Sequence, residues 1–265
     1  MTDLVIATSF PASFKTLALY NAALERGYEV IVAVIGTDDI PSILTHANKA
    51  IFCIAPRSRQ YYIDTLDRMP KQHRPAIKSM LQGFDKGETY EVLLKSGIPT
   101  PVTSIQTRGD EPESYPVVVK ILNGNQGIGV ELINNQTDYR HFENSYPDQE
   151  AFIAQEFIAE AGKQDKRLLV VGDKCVAAMT RQSTSEDFRA NLHTGGIASP
   201  YRPTPQEISL AVQTTKAFGL LYAGVDIIDS SRGPLILEVN PSPGLTISKV
   251  TGIDVAAKII EHVMG

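Results

Sequence analysis

The segment Gly224–Gly244, reading GVDIIDSSRGPLILEVNPSPG, constrains the chain more than any other stretch. It contains two strand-like runs, Gly224–Asp229 and Pro234–Asn240, joined by a tight turn at Ser231–Gly233. With the hairpin centred on Arg232, Asp226 faces Glu238. Asn240 then lies two residues further along the same face, because side chains alternate with period two. The opposite face pairs Val225 with Val239 and Ile227 with Leu237, an apolar surface suited to a core. Two opposed carboxylates repel each other unless something positive lies between them. With an amide oxygen beside them they form a set of hard oxygen ligands, which suits magnesium held jointly with substrate phosphates. A half-exposed hairpin whose acids face water is the competing reading.

The first 55 residues have a different pattern. Leu4–Thr8, Glu29–Ile35 and Ala50–Ile54 are short runs rich in β-branched residues. Ser13–Arg26 lies between the first two, with apolar residues at Phe14, Leu17, Ala18, Tyr20, Ala22 and Leu24 and Gly27 as a stop. Strand, helix, strand at this spacing predicts a small parallel α/β unit. It lacks the GxGxxG fingerprint, so a dinucleotide site is not expected there. Residues 57–82 read as polar helix, Asp85–Ser96 as a better one, and Ser104–Tyr115 as an exposed connection. Beyond Pro116 the chain becomes hairpin-rich. Strands are expected at Val117–Leu122, Ile128–Ile133, Phe152–Phe157, Arg167–Val171 and Cys175–Thr180, and helices at Thr137–Ser145, Pro205–Phe218 and Asp254–Met264. Residues 183–200 read as irregular.

Within this frame a few residues stand out chemically. Gly124, Gly127 and Gly129 join two strands, with neither the lysine nor the helix that a Walker A loop needs. Such a loop can act as a flap whose backbone N–H groups approach phosphates. Lys120 lies just before it, in a run apolar on both faces, where a lysine calls for an anion or must snorkel to solvent. Glu156 and Phe157 end a strand that can offer its backbone to an adenine edge, and Asp165 and Arg167 follow as charges at a strand start. Arg189, Asn191 and His193 alternate along a polar segment. If extended, they would present three donors on one side, suited to a phosphoryl group or a carboxylate; a solvated loop is the alternative.

In order, VVVKILNGNQGIGVEL, QEFI, DKRLLVVGDKCVAAMTRQ, DFRANLHTGG and AGVDIIDSSRGPLILEVNPSPGL with TGIDVAAKII resemble the ATP-grasp superfamily, and within it the RimK-like amino-acid (glutamate) ligases. The resemblance runs from about Asp85 to the C-terminus. It implies an ATP-grasp fold, mixed α/β and α+β, preceded by a short α/β domain, with residues 1–83 as that domain, 84–153 as the N-lobe with the flap and 154–265 as the C-lobe with the metal site. It also implies ATP and two Mg²⁺ ions, a role Mn²⁺ can fill, held by Asp226, Glu238 and Asn240. Lys86 and Lys120 would touch the phosphates, Glu156 and Phe157 adenine, and Asp165, followed by Arg167, the ribose. Arg189 and Asn191 would line the transfer site. Lys166 departs from the pattern, because relatives usually carry an apolar residue there, and the N-terminal domain is trimmed.

The activity implied is an ATP-dependent carboxylate–amine ligase working through an acyl phosphate. It would join an amino acid, glutamate foremost, to a carboxylate acceptor that is a protein C-terminus, a peptide or a small acid. The alternatives are a ligase acting on a carrier-bound or coenzyme acid, and a non-catalytic ATP-binding regulator. A net charge of −5 argues against general nucleic-acid binding, so any bound anion needs a local cluster of cations. The two cysteines, Cys53 and Cys175, lie in apolar runs and read as buried thiols of a reducing compartment. With no membrane-length apolar run and no secretory pattern, a cytoplasmic protein is expected, with a homo-oligomer compatible.

Overall fold

Three β-branched runs near the N-terminus become parallel strands β1 (Thr2–Thr8), β2 (Val30–Val34) and β3 (Ala47–Cys53), in the order β2-β1-β3. The computed structural model describes residues 2–55, 58–122, 124, 127–184 and 196–265. The central strand is apolar on both faces because neither reaches water: Leu4, Val5, Ile6 and Ala7 are fully buried. Helix α1 (Phe14–Leu24) makes the crossover, capped by Ser13, which accepts from the Thr16 N–H. Helix α2 (Ile40–Leu44) leads into β3. The buried face of α1 is not the expected one: it carries Thr16, Leu19, Ala22 and Ala23, while Phe14, Leu17 and Leu24 are exposed. Small Ala22 and Ala23 let the C-terminal helix α9 (Val255–Met264) approach closely, and with Leu19 they share a cluster with Val255, Ile259 and Ile260.

Helices α3 (Arg59–Thr65), α4 (Arg74–Phe84) and α5 (Lys86–Lys95) follow. Asp85 is extended (φ −93°, ψ 120°) and separates the last two; its carboxylate accepts from the N–H groups of Gly87 and Glu88, which caps α5. The stretch read as an exposed connection holds a strand, β4 (Thr103–Thr107). Its sequence, TSIQT, is too polar to signal a strand, yet an edge strand needs only a few inward residues, and Thr103 and Gln106 are the buried ones. β4 joins β5 (Val117–Ile121), β6 (Val130–Ile133) and β7 (Ala151–Glu156) in an antiparallel sheet of order β4-β7-β5-β6, backed by α6 (Gln136–Ser145). The limit expected at residue 153 would cut β7; this sheet runs to Glu156.

The third sheet, order β10-β9-β8-β11-β12, comprises β8 (Gln164–Val171), β9 (Lys174–Gln182), β10 (Ile197–Pro200), β11 (Tyr222–Ser230) and β12 (Gly233–Asn240). β10 lies inside the stretch read as irregular. Helix α7 (Pro205–Ala217) packs on this sheet behind a Thr204–Glu207 capping box, and α8 (Thr246–Thr251) precedes α9. The parallel sheet and the third sheet share one core, with Val5 and Phe52 in the same cluster as Leu168, Val225 and Ile236. The four-stranded sheet keeps its own, built on Val119, Phe142 and Phe152. Among the described residues no helix is long and apolar enough to cross a membrane.

The hairpin β11–β12 departs from the expected register in one respect. Its turn holds two residues, Ser231 and Arg232, followed by Gly233 at φ +97°, so Ser230 pairs with Gly233 and Ile227 with Ile236, not Leu237. An extra residue is then absorbed as a bulge, and from there Asp226 faces Glu238 as expected and Gly224 faces Asn240. Ile236 takes the core position, fully buried, and Leu237 turns to the cavity described next.

Candidate active site

Between the four-stranded sheet, the third sheet and the C-terminal ends of β1 and β3 lies a cavity of about 980 Å³. Lys86, Lys120, Gly124, Gly127, Glu156, Phe157, Asp165, Arg167, Asp226, Glu238 and Asn240 all line it. Gly129 does not. At φ +67° it closes the β5–β6 hairpin, where a Cβ would lie 2.6 Å from the Ile121 side chain. Arg189 and Asn191 lie outside the described residues, as does His193.

Lys120 is buried on β5 and does not snorkel. Its Nζ donates to Gln155 Oε1 at 2.7 Å, and Gln155 Nε2 donates to Thr103 Oγ1 at 3.1 Å, so three strands of the sheet hold it in place. Burial pulls the Lys120 pKa down to about 8, against the opposing pull of Glu238. Lys86, at the first turn of α5, donates to the Gly124 carbonyl of the flap. Its pKa is also lowered by burial, with Glu238 and Asp85 acting against the shift. Two lysines from different elements thus line one cavity within the electrostatic reach of Glu238 but without an ion pair to it, an arrangement that leaves room for further negative charge.

Asp226 is almost fully buried and bound to two guanidiniums. Arg167, its partner across the β8–β11 ladder, donates through Nε and NH2 at 2.6 Å each, and Arg181 NH2 donates at 2.7 Å. Burial opposes ionisation, but Arg167 and then Arg181 hold the Asp226 carboxyl below the usual range. Arg181 also makes a two-pronged contact with Asp165, at 2.7 Å through both nitrogens. Burial pushes the Asp165 carboxyl up in spite of that partner. Asp165, expected at a ribose, therefore lines the cavity with both oxygens engaged by Arg181. The Glu156 N–H donates to the Val102 carbonyl at 2.7 Å, and its side chain accepts from Arg232 at 2.5 Å, tying the four-stranded sheet to the β11–β12 turn.

Sequence reasoning missed Arg181 and Gln155. The signal was the one used for Lys120, a polar or charged residue near the end of an apolar strand. Lys166, the departure from the family pattern, points away from the cavity. Its Nζ donates to Glu207 at 2.7 Å and Asp229 at 2.6 Å and lies 5.1 Å from the Tyr201 ring centre. Those bonds raise its pKa despite burial. It fastens α7 to the sheet.

The donor set fits a divalent cation held with phosphates. Glu238 is exposed to the cavity and makes no hydrogen bond or ion pair among the described residues, and Asn240 Oδ1 faces it in the same row, accepting from the Ser242 N–H at 3.0 Å. Among the described residues no group of three or more His, Cys, Asp or Glu side chains could enclose a metal unaided. The oxygens present suit an ion that also takes phosphate and water ligands, as magnesium does.

Residues 83–263 match the family model of the RimK-like ATP-grasp domain. The chain belongs to that family. A protein named probable alpha-L-glutamate ligase from Trichodesmium erythraeum (strain IMS101) is 35% identical over 283 residues, covering 97% of this chain and 94% of that one. The crystal structure of a RimK domain ATP-grasp protein from Sphaerobacter thermophilus aligns with a TM-score of 0.73 at 20% identity, over 99% of this chain and 100% of that one. The ATP-grasp ligase PsnB, complexed with minimal precursor, Mg and ADP, aligns with a TM-score of 0.66 at 16% identity, over 98% and 96%. These likenesses give the fold as ATP-grasp.

Proposed function

We propose that this RimK-like ATP-grasp protein is an ATP-dependent carboxylate–amine ligase that joins an amino acid, glutamate foremost, to a protein C-terminus, a peptide or a small acid. The observation that carries this reading is one cavity of about 980 Å³ lined together by two buried lysines, Lys86 and Lys120, and by Asp226, Glu238 and Asn240. The relative named as a glutamate ligase supports the choice of amino acid. When bound, ATP with magnesium supplies the phosphoryl group that converts a carboxylate into an acyl phosphate, from which an amine displaces phosphate.

The chain's own residues prepare that exchange. Lys120 and Lys86 neutralise phosphate charge, and the glycine flap brings backbone N–H groups to it. Asp226, Glu238 and Asn240 would be the residues that hold two magnesium ions beside the phosphates. Arg167 and Arg181 balance Asp226 and keep its carboxylate ionised and fixed in position. Glu156 and Phe157 would meet adenine through the main chain and Asp165 would lie at the ribose. Arg189 and Asn191 would stabilise charge at the transferring group. In this reading the nucleotide lies between the four-stranded sheet and the body that the other two sheets form around their shared core, and the reaction takes place in the cytoplasm. The test is ADP release with L-glutamate alone and with peptides or small acids as acceptors, followed by mass spectrometry of the acceptor. A mass increase of one glutamyl unit that requires ATP and magnesium is expected. ATP bound but never consumed with any acceptor would overturn the reading in favour of a nucleotide-binding regulator.

A further inference from the structure

The cavity continues past Lys86 and Lys120 to the C-terminal edge of the parallel sheet, where Thr8, Ser13, Lys15 and Arg59 line it with Ser242 and Thr246. The two ends differ in where the acids lie. The wall built by the N-terminal unit and by residues 242–247 carries two cations and, among the described residues, no Asp or Glu, whereas Glu156, Asp165, Asp226 and Glu238 lie on the other side, interleaved with lysines and arginines.

Lys15 has no carboxylate partner among the described residues. Its Nζ donates to Ser242 Oγ at 2.9 Å and stands 5.4 Å from the centre of the Tyr222 ring. Burial pulls its pKa below the ordinary lysine range. An ammonium offers three donors, and this one has a single neutral acceptor. Arg59 faces the same space with its Nε buried and without a hydrogen-bond partner. Its NH2 lies 3.7 Å from Asp85 Oδ2, the carboxylate oxygen that does not cap α5, which leaves the Nε edge of the guanidinium for the cavity. Ser242 links this wall to the metal-facing row, since its N–H donates to Asn240 Oδ1. A buried ammonium with spare donors, beside a guanidinium whose Nε is unpartnered, makes sense in open space when an anion arrives with the substrate. The ligase reading gives the phosphates to Lys86 and Lys120, so in it this anion is a different one.

Resting on the ligase reading above, we propose that Lys15, braced by Ser242 and assisted by Arg59, binds a second carboxylate of the substrate, one that is not activated. The enzyme therefore selects an acidic amino acid or an acid-terminated peptide over its neutral amide. Lys15 is in this sense a specificity residue that leaves the phosphoryl chemistry to others.

The experiment uses the full chain saturated with Mg·ADP and calorimetric titration with L-glutamate, L-glutamine and a tetrapeptide ending in two glutamates, in parallel with ADP release from ATP. The wild type should prefer an acid to its amide by about 10- to 100-fold, the range for a hydrogen bond to a charged group. Preference for free glutamate places the subsite with the incoming amino acid; preference for the peptide places it with the acceptor. Lys15→Met, which keeps the aliphatic stem against Tyr222, should lose that preference while its ADP affinity stays within about twofold. Lys15→Gln retains a donor for Ser242 and gives the same reading should the methionine variant misfold. ATP consumption intact with wild-type preference in both variants overturns this proposal alone. A wild type that consumes no ATP with any of the three probes overturns the ligase reading and this proposal with it.

Discussion

Replacing Lys120 with methionine separates a nucleotide-binding lysine from a structural one, because the two roles predict opposite signs. In the unliganded protein the Lys120 pKa is lowered from 10.5 to about 8 by burial. At 1.36 kcal/mol per pH unit, holding that ammonium charged at neutral pH costs the fold about 3 kcal/mol. Lys120→Met removes this cost but leaves Gln155 Oε1 without its donor, a loss of about 1–3 kcal/mol for a buried acceptor. The variant without nucleotide should therefore be unchanged or up to about 2 kcal/mol more stable. Its ATP affinity should fall about 10- to 100-fold, since a charge-assisted hydrogen bond to phosphate contributes about 1.5–3 kcal/mol. The pH dependence gives a second check. Between the folded pKa near 8 and the unfolded value near 10.5 the unfolded chain binds more protons, so wild-type stability rises with pH across that window from this group. The methionine variant should lack that rise. Urea denaturation from pH 7 to 10 and calorimetry with ATP measure both. A variant that loses stability yet binds ATP with wild-type affinity would refute the reasoning and leave Lys120 a purely structural residue.

Glu238→Gln removes the charge that offsets the burial of Lys120 and Lys86, so it should lower stability slightly without nucleotide and lower turnover at least ~100-fold; thermal melting and ADP release at saturating magnesium check this. Arg181→Met strips Asp165 of its partner and Asp226 of one of two, and should cost about 3–5 kcal/mol by urea denaturation. Lys166→Leu unpairs buried Glu207 and should cost about 1–3 kcal/mol, while ATP affinity by calorimetry stays at the wild-type value because the side chain faces α7.

Local rules made part of this protein legible in advance. The alternation of Asp226, Glu238 and Asn240 with Val225 and Val239 is a property of extended backbone, so it identified the acidic row before any packing was known. The apolar run around Lys120 and the β-branched strands of the parallel sheet were readable for the same reason. Edge strands β4 and β10 were not, since an edge can be polar and still pair. The face that α1 buries depended on where α9 lies, which no residue within α1 encodes. Tertiary structure decided the contacts of Arg181 and Leu237 through two β-bulges. Val170 pairs with Cys175 beside its turn, and a regular ladder would then place Asp165 opposite Thr180; the bulge between Leu169 and Val170 places it opposite Arg181 instead. Likewise the two-residue turn at Ser231 and Arg232 would set Asp226 against Leu237, and the bulge beside Asp226 brings Glu238 to it. A single extra residue reverses which side chains meet, and its position is fixed by how the sheets pack, not by any short stretch of sequence.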